Sequence, residues 1–376
     1  MSKPEGQVVR KVSVHVLKRE VKPMGAHGVP TAGTAQCYMG VLRVFDAEGR
    51  EGNAFIGAPH SESDRTIAPA GGPVKEFLIG KRVGEREAIW HDLRALATKH
   101  ELPDAAVMAA DVALWDLAAK AANVPLYELF GAYRHKIPAY GSAPFHETAQ
   151  QNAEAMLKGK AEGLQGWKLH HVVPDRREIV EVCRKVREAA GPRFPLMYDA
   201  LRDFDLKDAL YVGRALDELR YDWFEDPMSV HDLVALAELG RRIATPIAVA
   251  DELEFKLNDA PRVIAAGAAR ILRGEPGKDG LTGMRKMAAL CEAHRLMFEP
   301  HVGFNPLLDI AVLHIVLSIR NCAYFPLDVV SPRDRYVGLV ENPKIDREGF
   351  IHGPRAPGLG VEIDWKFVEK HAVAVL

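Results

Sequence analysis

Three carboxylates recur in the second half of the sequence, 26 and 27 residues apart. Asp199 lies in PLMYDA, Glu225 in DWFEDP and Glu252 in PIAVADE, each following a short apolar run typical of a buried strand. If these strands are parallel, their carboxyl ends meet at one edge and the three side chains converge. Converging carboxylates repel one another and lose hydration, so they need a cation. Oxygen ligands favour Mg²⁺ over Zn²⁺.

Basic side chains crowd the segment GWKLHH, residues 166–171, one unit before this carboxylate series. Side chains alternate faces along a strand, so Lys168 and His170 share one face and His171 lies on the other. An edge strand with a solvated face is the competing interpretation. With the carboxylates next to it, the segment instead predicts that Lys168 and His170 point towards them. Lys168 then acts on a substrate carboxylate or pairs with one of the acids, and His171 is structural.

Another basic residue, His301, ends the apolar run LMFEPH, two units after the run that carries Glu252. A carboxylic acid held by Mg²⁺ loses its α-proton more readily, because the metal stabilises the resulting enediolate. Such chemistry needs a base on one face of the α-carbon and an acid or second base on the other. Histidine suits both roles near neutral pH. His170 and His301 are therefore candidates for proton transfer, with a supporting hydrogen bond as the alternative role of His170.

The elements that must position these residues alternate regularly from about residue 137. Eight β-like runs are separated by seven helix-like segments, which implies parallel strands closed into a barrel. An open, doubly wound sheet is the competitor, but no glycine-rich phosphate loop follows a strand. The β-like runs are IPAYGS, GWKLHH, PLMYDA, DWFEDP, PIAVADE, ARILRG, LMFEPH and CAYFPLD.

The chain before residue 137 follows a different pattern. QVVRKVSVHVL and AQCYMGVLRVFDAEGREGNAFIG predict antiparallel strands, the second stretch turning at DAEGRE, and residues 105–122 predict an apolar helix. We therefore expect an α/β protein with an α+β capping domain over 1–135 and a barrel over 136–345. A C-terminal segment, 346–376, is expected to return to the capping domain.

Composition excludes several classes of protein. Of 376 residues, 49 are Lys or Arg and 51 are Asp or Glu, so neither nucleic acid nor an anionic membrane is an expected partner. No apolar run approaches the roughly 18 residues of a membrane span, and MSKPEGQVVRKVSV does not resemble a secretory signal. The four cysteines form no CxxC pair. They favour reduced thiols in a cytoplasmic protein.

These residues together resemble the enolase superfamily, and within it the mandelate racemase-like group. DVALWDLAAKAANVPLYELFGAYR (111–134) is similar to the family's helix between capping domain and barrel, and the carboxylate series matches its three metal ligands. The family's lysine-x-lysine motif falls on 168–170, and its histidine–aspartate dyad falls on His301 with Glu275. The resemblance implies a modified (β/α)₇β barrel, Mg²⁺, removal of a proton α to a carboxylate, and a homo-oligomer.

Four positions depart from the family pattern or extend it. His170 stands where lysine is usual. Glu275 replaces the dyad aspartate, and Asp279 in the same loop is its rival. Asp328 in CAYFPLD is the nearest match to the acid on the eighth strand. His27 lies in a Gly/Pro-rich loop where family members place substrate-selecting residues.

The resemblance therefore implies an acid-sugar dehydratase that removes water from a sugar acid and forms a 2-keto-3-deoxy acid. The substrate would be a small carboxylate with hydroxyl groups on carbons 2 and 3. A racemase or epimerase is the alternative, with His170 and His301 as opposed bases. A metal-binding homologue without catalysis is a third possibility, given the unusual residues at His170 and Glu275.

Overall fold

The structure is a computed structural model that describes residues 7–21, 33–57, 65–249, 255–303, 305–329 and 337–376. Its strands are β1 (Val9–Val21), β2 (Ala35–Asp46), β3 (Glu51–Ile56), β4 (Lys136–Ser142), β5 (Gly166–His170), β6 (Leu196–Asp199), β7 (Trp223–Glu225), β8 (Ile247–Val249), β9 (Ile271–Leu272), β10 (Met297–Phe298), β11 (Phe325–Asp328), β12 (Phe350–His352) and β13 (Ala372–Val375).

The α-helices are α1 (Ala68–Gly71), α2 (Pro73–Leu78), α3 (Arg86–His100), α4 (Asp104–Ala122), α5 (Leu126–Leu129), α6 (Ala149–Ala161), α7 (Arg176–Ala190), α8 (Leu206–Glu218), α9 (Leu233–Arg242), α10 (Ala260–Ala266), α11 (Pro276–Ala293), α12 (Pro306–Ser318) and α13 (Trp365–His371). Short 3₁₀ helices cover Val83–Glu85 and Leu257–Asp259. In the part of the chain described, no helix is long and apolar enough to cross a membrane.

The N-terminal region contains an antiparallel sheet in the order β13-β1-β2-β3. One of its two edge strands comes from the C-terminus, since β13 pairs with β1 and places Val375 opposite His15. Helix α4 packs closely against β3 at Gly52, where an added Cβ would lie 2.1 Å from the carbonyl oxygen of Ala113. The predicted hairpin, helix and returning C-terminal segment are all present.

The second sheet has nine strands among the described residues: eight are parallel, in the order β10-β9-β8-β7-β6-β5-β4-β11, and β12 pairs antiparallel with β4. Each of the eight predicted β-like runs overlaps one of the parallel strands. Helices α6 to α12 follow the first seven strands in turn, which is the arrangement of a (β/α)₇β barrel. Strands β10 and β11 stand at the two ends of this order, and between them the Phe298 N–H of β10 donates to the carbonyl oxygen of Asn321, which precedes β11, at 2.7 Å. The predicted fold class, a modified barrel with an α+β capping domain, is confirmed.

Strand register brings the predicted site residues to one level of this sheet. His170 is paired with Asp199, and Asp199 with Glu225, so the last residues of β5, β6 and β7 lie side by side. An apolar cluster fills the level beneath, because side chains two residues apart share a face. Its buried members are Tyr140, Met197, Trp223, Ala248 and Ile271. The polar residues therefore lie above an apolar plug, at the carboxyl ends of the strands.

The capping region is joined to the barrel where α4 contacts α11. Asp111 accepts hydrogen bonds from the Thr282 N–H at 2.9 Å and the Thr282 hydroxyl at 2.6 Å. Trp115 Nε1–H donates to the same hydroxyl oxygen at 2.8 Å. Gly280 interrupts α11 with φ +65°, and an added Cβ there would lie 2.5 Å from Asp111 Oδ2. These contacts hold α11 directly after its first turn, which itself follows Glu275.

Candidate active site

Lys168 is held between two buried carboxylates at the carboxyl ends of β6 and β7. Its Nζ lies 2.9 Å from Asp199 Oδ2 and 2.8 Å from Glu225 Oε1. Desolvation opposes the charge on Lys168, but the two carboxylates outweigh it and raise the pKa of the lysine. Desolvation likewise opposes the charge on Asp199, yet Lys168 and His170 hold its pKa well below the usual range. The prediction that Lys168 faces the carboxylates is confirmed.

Glu225 has further partners that fix its orientation. Trp223 Nε1–H donates to Oε2 at 3.0 Å, and Arg273 Nε lies 3.1 Å from Oε1. Arg273 is fully buried. Sequence reasoning missed it, although it stands two residues before Glu275 and so on the same face of the extended chain. The alternation that placed Lys168 and His170 together could have found it.

His170 contacts two acceptors. Its Nδ1 lies 2.7 Å from the Ala143 carbonyl oxygen, and its Nε2 lies 3.1 Å from Asp199 Oδ2. The ring can donate to both at once only as an imidazolium, because neutral histidine carries a single N–H. These contacts favour support of Asp199, the alternative role considered for this residue.

The neighbouring His171 points to the other side of β5. Its Nδ1 lies 3.1 Å from the His146 carbonyl oxygen, and its Nε2 lies 3.8 Å from Glu178 Oε1 on α7. The predicted alternation along GWKLHH is thus confirmed: His171 lies between the strand and the outer helices.

His301 and Glu275 form a pair after the ends of β10 and β9. His301 Nδ1 lies 3.3 Å from Glu275 Oε2. The His301 side chain is 23% exposed, whereas Glu275 is buried. Burial lowers the pKa of His301, with Arg273 and Lys168 acting in the same direction and Glu275 opposing. The imidazole is therefore neutral near pH 7 and able to accept a proton.

The rival residue, Asp279, lies elsewhere. Its Oδ2 accepts from the Leu257 N–H at 2.9 Å, and its carbonyl oxygen accepts from Trp90 Nε1–H at 2.7 Å. Burial raises the pKa of Asp279 to about 6. Glu275, not Asp279, is thus the carboxylate beside His301.

Two more buried ionisable groups near this pair were missed from the sequence. Lys278 Nζ lies 3.1 Å from Glu275 Oε1. Glu299 stands two residues before His301 and accepts from the Ala323 N–H at 2.7 Å and the Cys322 thiol at 3.2 Å. Burial raises the pKa of Glu299 to about 7. Alternation along EPH could have identified Glu299, whereas the contact of Lys278 depends on how α11 begins.

Three expected site residues stay predictions. Glu252 and His27 lie outside the described residues. Asp328 is the last residue of β11, opposite Ser142 of β4, so its backbone lies at the carboxyl end of the eighth strand as expected.

The carboxylates suit a hard divalent cation. Asp199 and Glu225 each place an oxygen within 2.9 Å of one ammonium nitrogen, so they converge closely enough to share a small cation. Carboxylate oxygens are the ligands that Mg²⁺ prefers. Among the described residues no group of three acids, histidines or cysteines could hold a metal, and the third expected ligand, Glu252, is not among them. The two described carboxylates, Asp199 and Glu225, nevertheless fit Mg²⁺ because they converge and offer oxygen ligands.

Family models match most of the chain. Residues 149–367 match the enolase C-terminal domain-like model, and residues 18–131 match the mandelate racemase / muconate lactonizing enzyme N-terminal domain. The boundary between these matches falls close to the predicted start of the barrel.

Individual relatives share about a quarter of their residues with this chain. L-talarate/galactarate dehydratase of Salmonella typhimurium is 27% identical, covering 85% of this chain and 80% of the relative. The 3,6-anhydro-alpha-L-galactonate cycloisomerase of Streptomyces coelicolor is also 27% identical, covering 88% and 91%. Among solved structures, D-glucarate dehydratase from Agrobacterium tumefaciens complexed with magnesium has a TM-score of 0.86 at 29% identity, covering 98% of this chain and 100% of that one.

Proposed function

Since the chain belongs to the enolase superfamily, in its mandelate racemase / muconate lactonizing enzyme group, we propose that it is a Mg²⁺-dependent acid-sugar dehydratase. It removes water from a sugar acid and forms a 2-keto-3-deoxy acid. Asp199 and Glu225, with Glu252, hold the metal. We further expect a cytoplasmic homo-oligomer.

One arrangement carries this proposal: a pair of buried carboxylates with Lys168 on them, faced by a histidine that a carboxylate orients. The His301 N–H donates to the Gly274 carbonyl oxygen at 2.9 Å, so His301 lies beside the residue that follows Arg273, whose guanidinium contacts Glu225. A bound metal would supply Lewis-acid stabilisation of negative charge on the substrate carboxylate. Lys168 lies where its ammonium can stabilise the same charge.

His301 is the proposed proton carrier. Glu275 holds its Nδ1, so Nε2 is the atom that takes the α-proton, and the C–H electron pair moves into the enediolate. The imidazolium then returns this proton to the departing 3-hydroxyl, water leaves, and the enol tautomerises to the 2-keto group. His170 keeps Asp199 in position. If His170 were instead a second base, the same site would support racemisation or epimerisation.

The relatives support dehydration as the first activity to test. L-talarate/galactarate dehydratase and D-glucarate dehydratase are both named for loss of water from sugar diacids. The cycloisomerase among the relatives shows that a different outcome also occurs at this level of identity.

The test is a screen of a sugar-acid library, including aldonic and aldaric acids, with Mg²⁺ and with EDTA. We expect one acid or a small group to yield a 2-keto product, and only with the metal. His301→Asn is the control for contaminating activity and should be inactive. Exchange of the α-proton in D₂O without loss of water, or inversion of the α-carbon, would favour the racemase alternative. A library with neither reaction would contradict the proposal.

A further inference from the structure

Glu275 lies between two basic side chains, one on each carboxylate oxygen. Oε2 lies 3.3 Å from His301 Nδ1, and Oε1 lies 3.1 Å from Lys278 Nζ. Glu275 is the N-cap residue of α11 and Lys278 is its third helical residue. His301 lies shortly after the end of β10.

The position of Lys278 carries two energetic costs. Lysine is rarely buried, and Lys278 is only 6% exposed. The N-terminus of a helix carries partial positive charge, so a lysine in the first turn is repelled by it. A neutral residue would avoid both costs. The contact with Glu275 offsets them, which suggests a role for Lys278 at the site.

We propose that Lys278 is a positioning residue that forms, with Glu275 and His301, a functional triad. This inference rests on the proposed function of His301 as the proton carrier. Lys278 fixes the Glu275 carboxylate so that one oxygen meets Nδ1, which sets the imidazole tautomer with its reactive nitrogen at Nε2. Its charge also limits how strongly Glu275 favours the imidazolium, and so keeps His301 a weak enough base to return the proton to the leaving group.

The direction of the charge effect can be worked out. Glu275 raises the proton affinity of His301, while Arg273 and Lys168 lower it. Removing the positive charge of Lys278 favours every protonated form of the Glu275–His301 pair. The pair should therefore take up its next proton at a higher pH, whichever of the two residues holds it.

The experiment measures this titration in the free protein, with Mg²⁺ present and no substrate. Histidine side chains are labelled with ¹³C, and the His301 signal is assigned by its loss in His301→Asn. We expect Lys278→Gln and Lys278→Met to raise the His301 midpoint by about one pH unit or more. Lys278→Arg keeps the charge and should stay close to the wild type. Lys286→Met, which removes an outer lysine of the same helix paired with Glu87, is the matched control and should not shift it.

An unshifted or lowered midpoint in folded Lys278→Gln would overturn the proposal. A purely structural lysine would lower the unfolding temperature and leave the midpoint alone. Lys278→Gln retains a hydrogen bond to Glu275, so it remains informative if Lys278→Met does not fold. The titration needs no substrate, so it can be read even if the protein proves to have no dehydratase activity. A shifted midpoint in that case would support the electrostatic coupling of Lys278, Glu275 and His301 and would reject their proposed use in catalysis.

Discussion

The ammonium of Lys168 and the carboxylate of Glu225 form a buried ion pair, 2.8 Å from nitrogen to oxygen. Lys168 also contacts Asp199, so it compensates two charges that a metal would share. Breaking a buried pair from one side leaves an uncompensated charge and costs about 3–5 kcal/mol. We expect Lys168→Met to lose about that much unfolding free energy in EDTA, and Mg²⁺ to restore more stability in the variant than in the wild type.

Denaturant unfolding with and without Mg²⁺ measures this difference. The matched control is Lys136→Met, because Lys136 forms an exposed ion pair with Glu348. Removing this pair should change the free energy of unfolding negligibly. Equal stability of Lys168→Met and the wild type in EDTA would contradict the importance of the pair.

Metal binding should depend on Glu225 more than on Glu275. Glu225→Gln removes one of the converging charges while Trp223 and Arg273 still surround the side chain, so the fold should survive. We expect calorimetry to show a loss of Mg²⁺ affinity of at least tenfold. Glu275→Gln is the control, because this carboxylate pairs with His301 and Lys278 and should leave the affinity unchanged. Equal affinity in Glu225→Gln and the wild type would remove Glu225 from the ligand set.

The two inward histidines should fail in different ways. His301→Asn lacks the proposed base, so in D₂O it should neither dehydrate the substrate nor exchange its α-proton. His170→Asn should keep measurable exchange but bind Mg²⁺ more weakly, because Asp199 loses a hydrogen-bond donor. His171→Asn, on the other face of the strand, should keep most of its activity. NMR of the α-proton distinguishes these outcomes, and complete loss of exchange in His170→Asn with normal Mg²⁺ binding would make His170 a base.

Asp279 should affect stability and not the reaction. Burial raises its pKa to about 6 from 3.8. A raised folded-state pKa means that the folded protein binds the proton more tightly, so stability falls as pH rises from about 4 to 6. Asp279→Asn removes this loss, which amounts to at most about 3 kcal/mol. The free energy of unfolding of Asp279→Asn, relative to that of the wild type, should therefore be higher at pH 7 than at pH 4.

The pH dependence of catalysis distinguishes Glu275 from Asp279 as the partner of His301. Glu275→Gln should lower the pKa of His301, because it removes the charge that favours the imidazolium, whereas Asp279→Asn should leave the pH–rate profile in place. A shift of the pH–rate profile in Asp279→Asn, with none in Glu275→Gln, would show that Asp279 and not Glu275 is the partner of His301.

Residues on regular strands were predictable, and residues placed by turns were not. Alternation over two residues put Lys168 and His170 on one face and His171 on the other, and the repeat of strand and helix placed Asp199 beside Glu225. The same rule, applied to the segments before Glu275 and His301, would have added Arg273 and Glu299. Lys278 was beyond this reasoning, because its contact depends on the path of the chain into α11. Asp279 was a credible rival for the same reason: one turn of helix decides which carboxylate reaches His301.

The junction at Gly280 also limits how the two parts of this chain could be exchanged with those of relatives. Gly280 needs φ +65° and has no room for a Cβ beside Asp111, and Asp111 in turn binds Thr282. A chimaera that took its capping region from one parent and its barrel from another would separate these partners. Recombination points should therefore be chosen so that Asp111, Gly280 and Thr282 come from the same parent. Hybrids divided between them are expected to misplace the turn that presents Glu275.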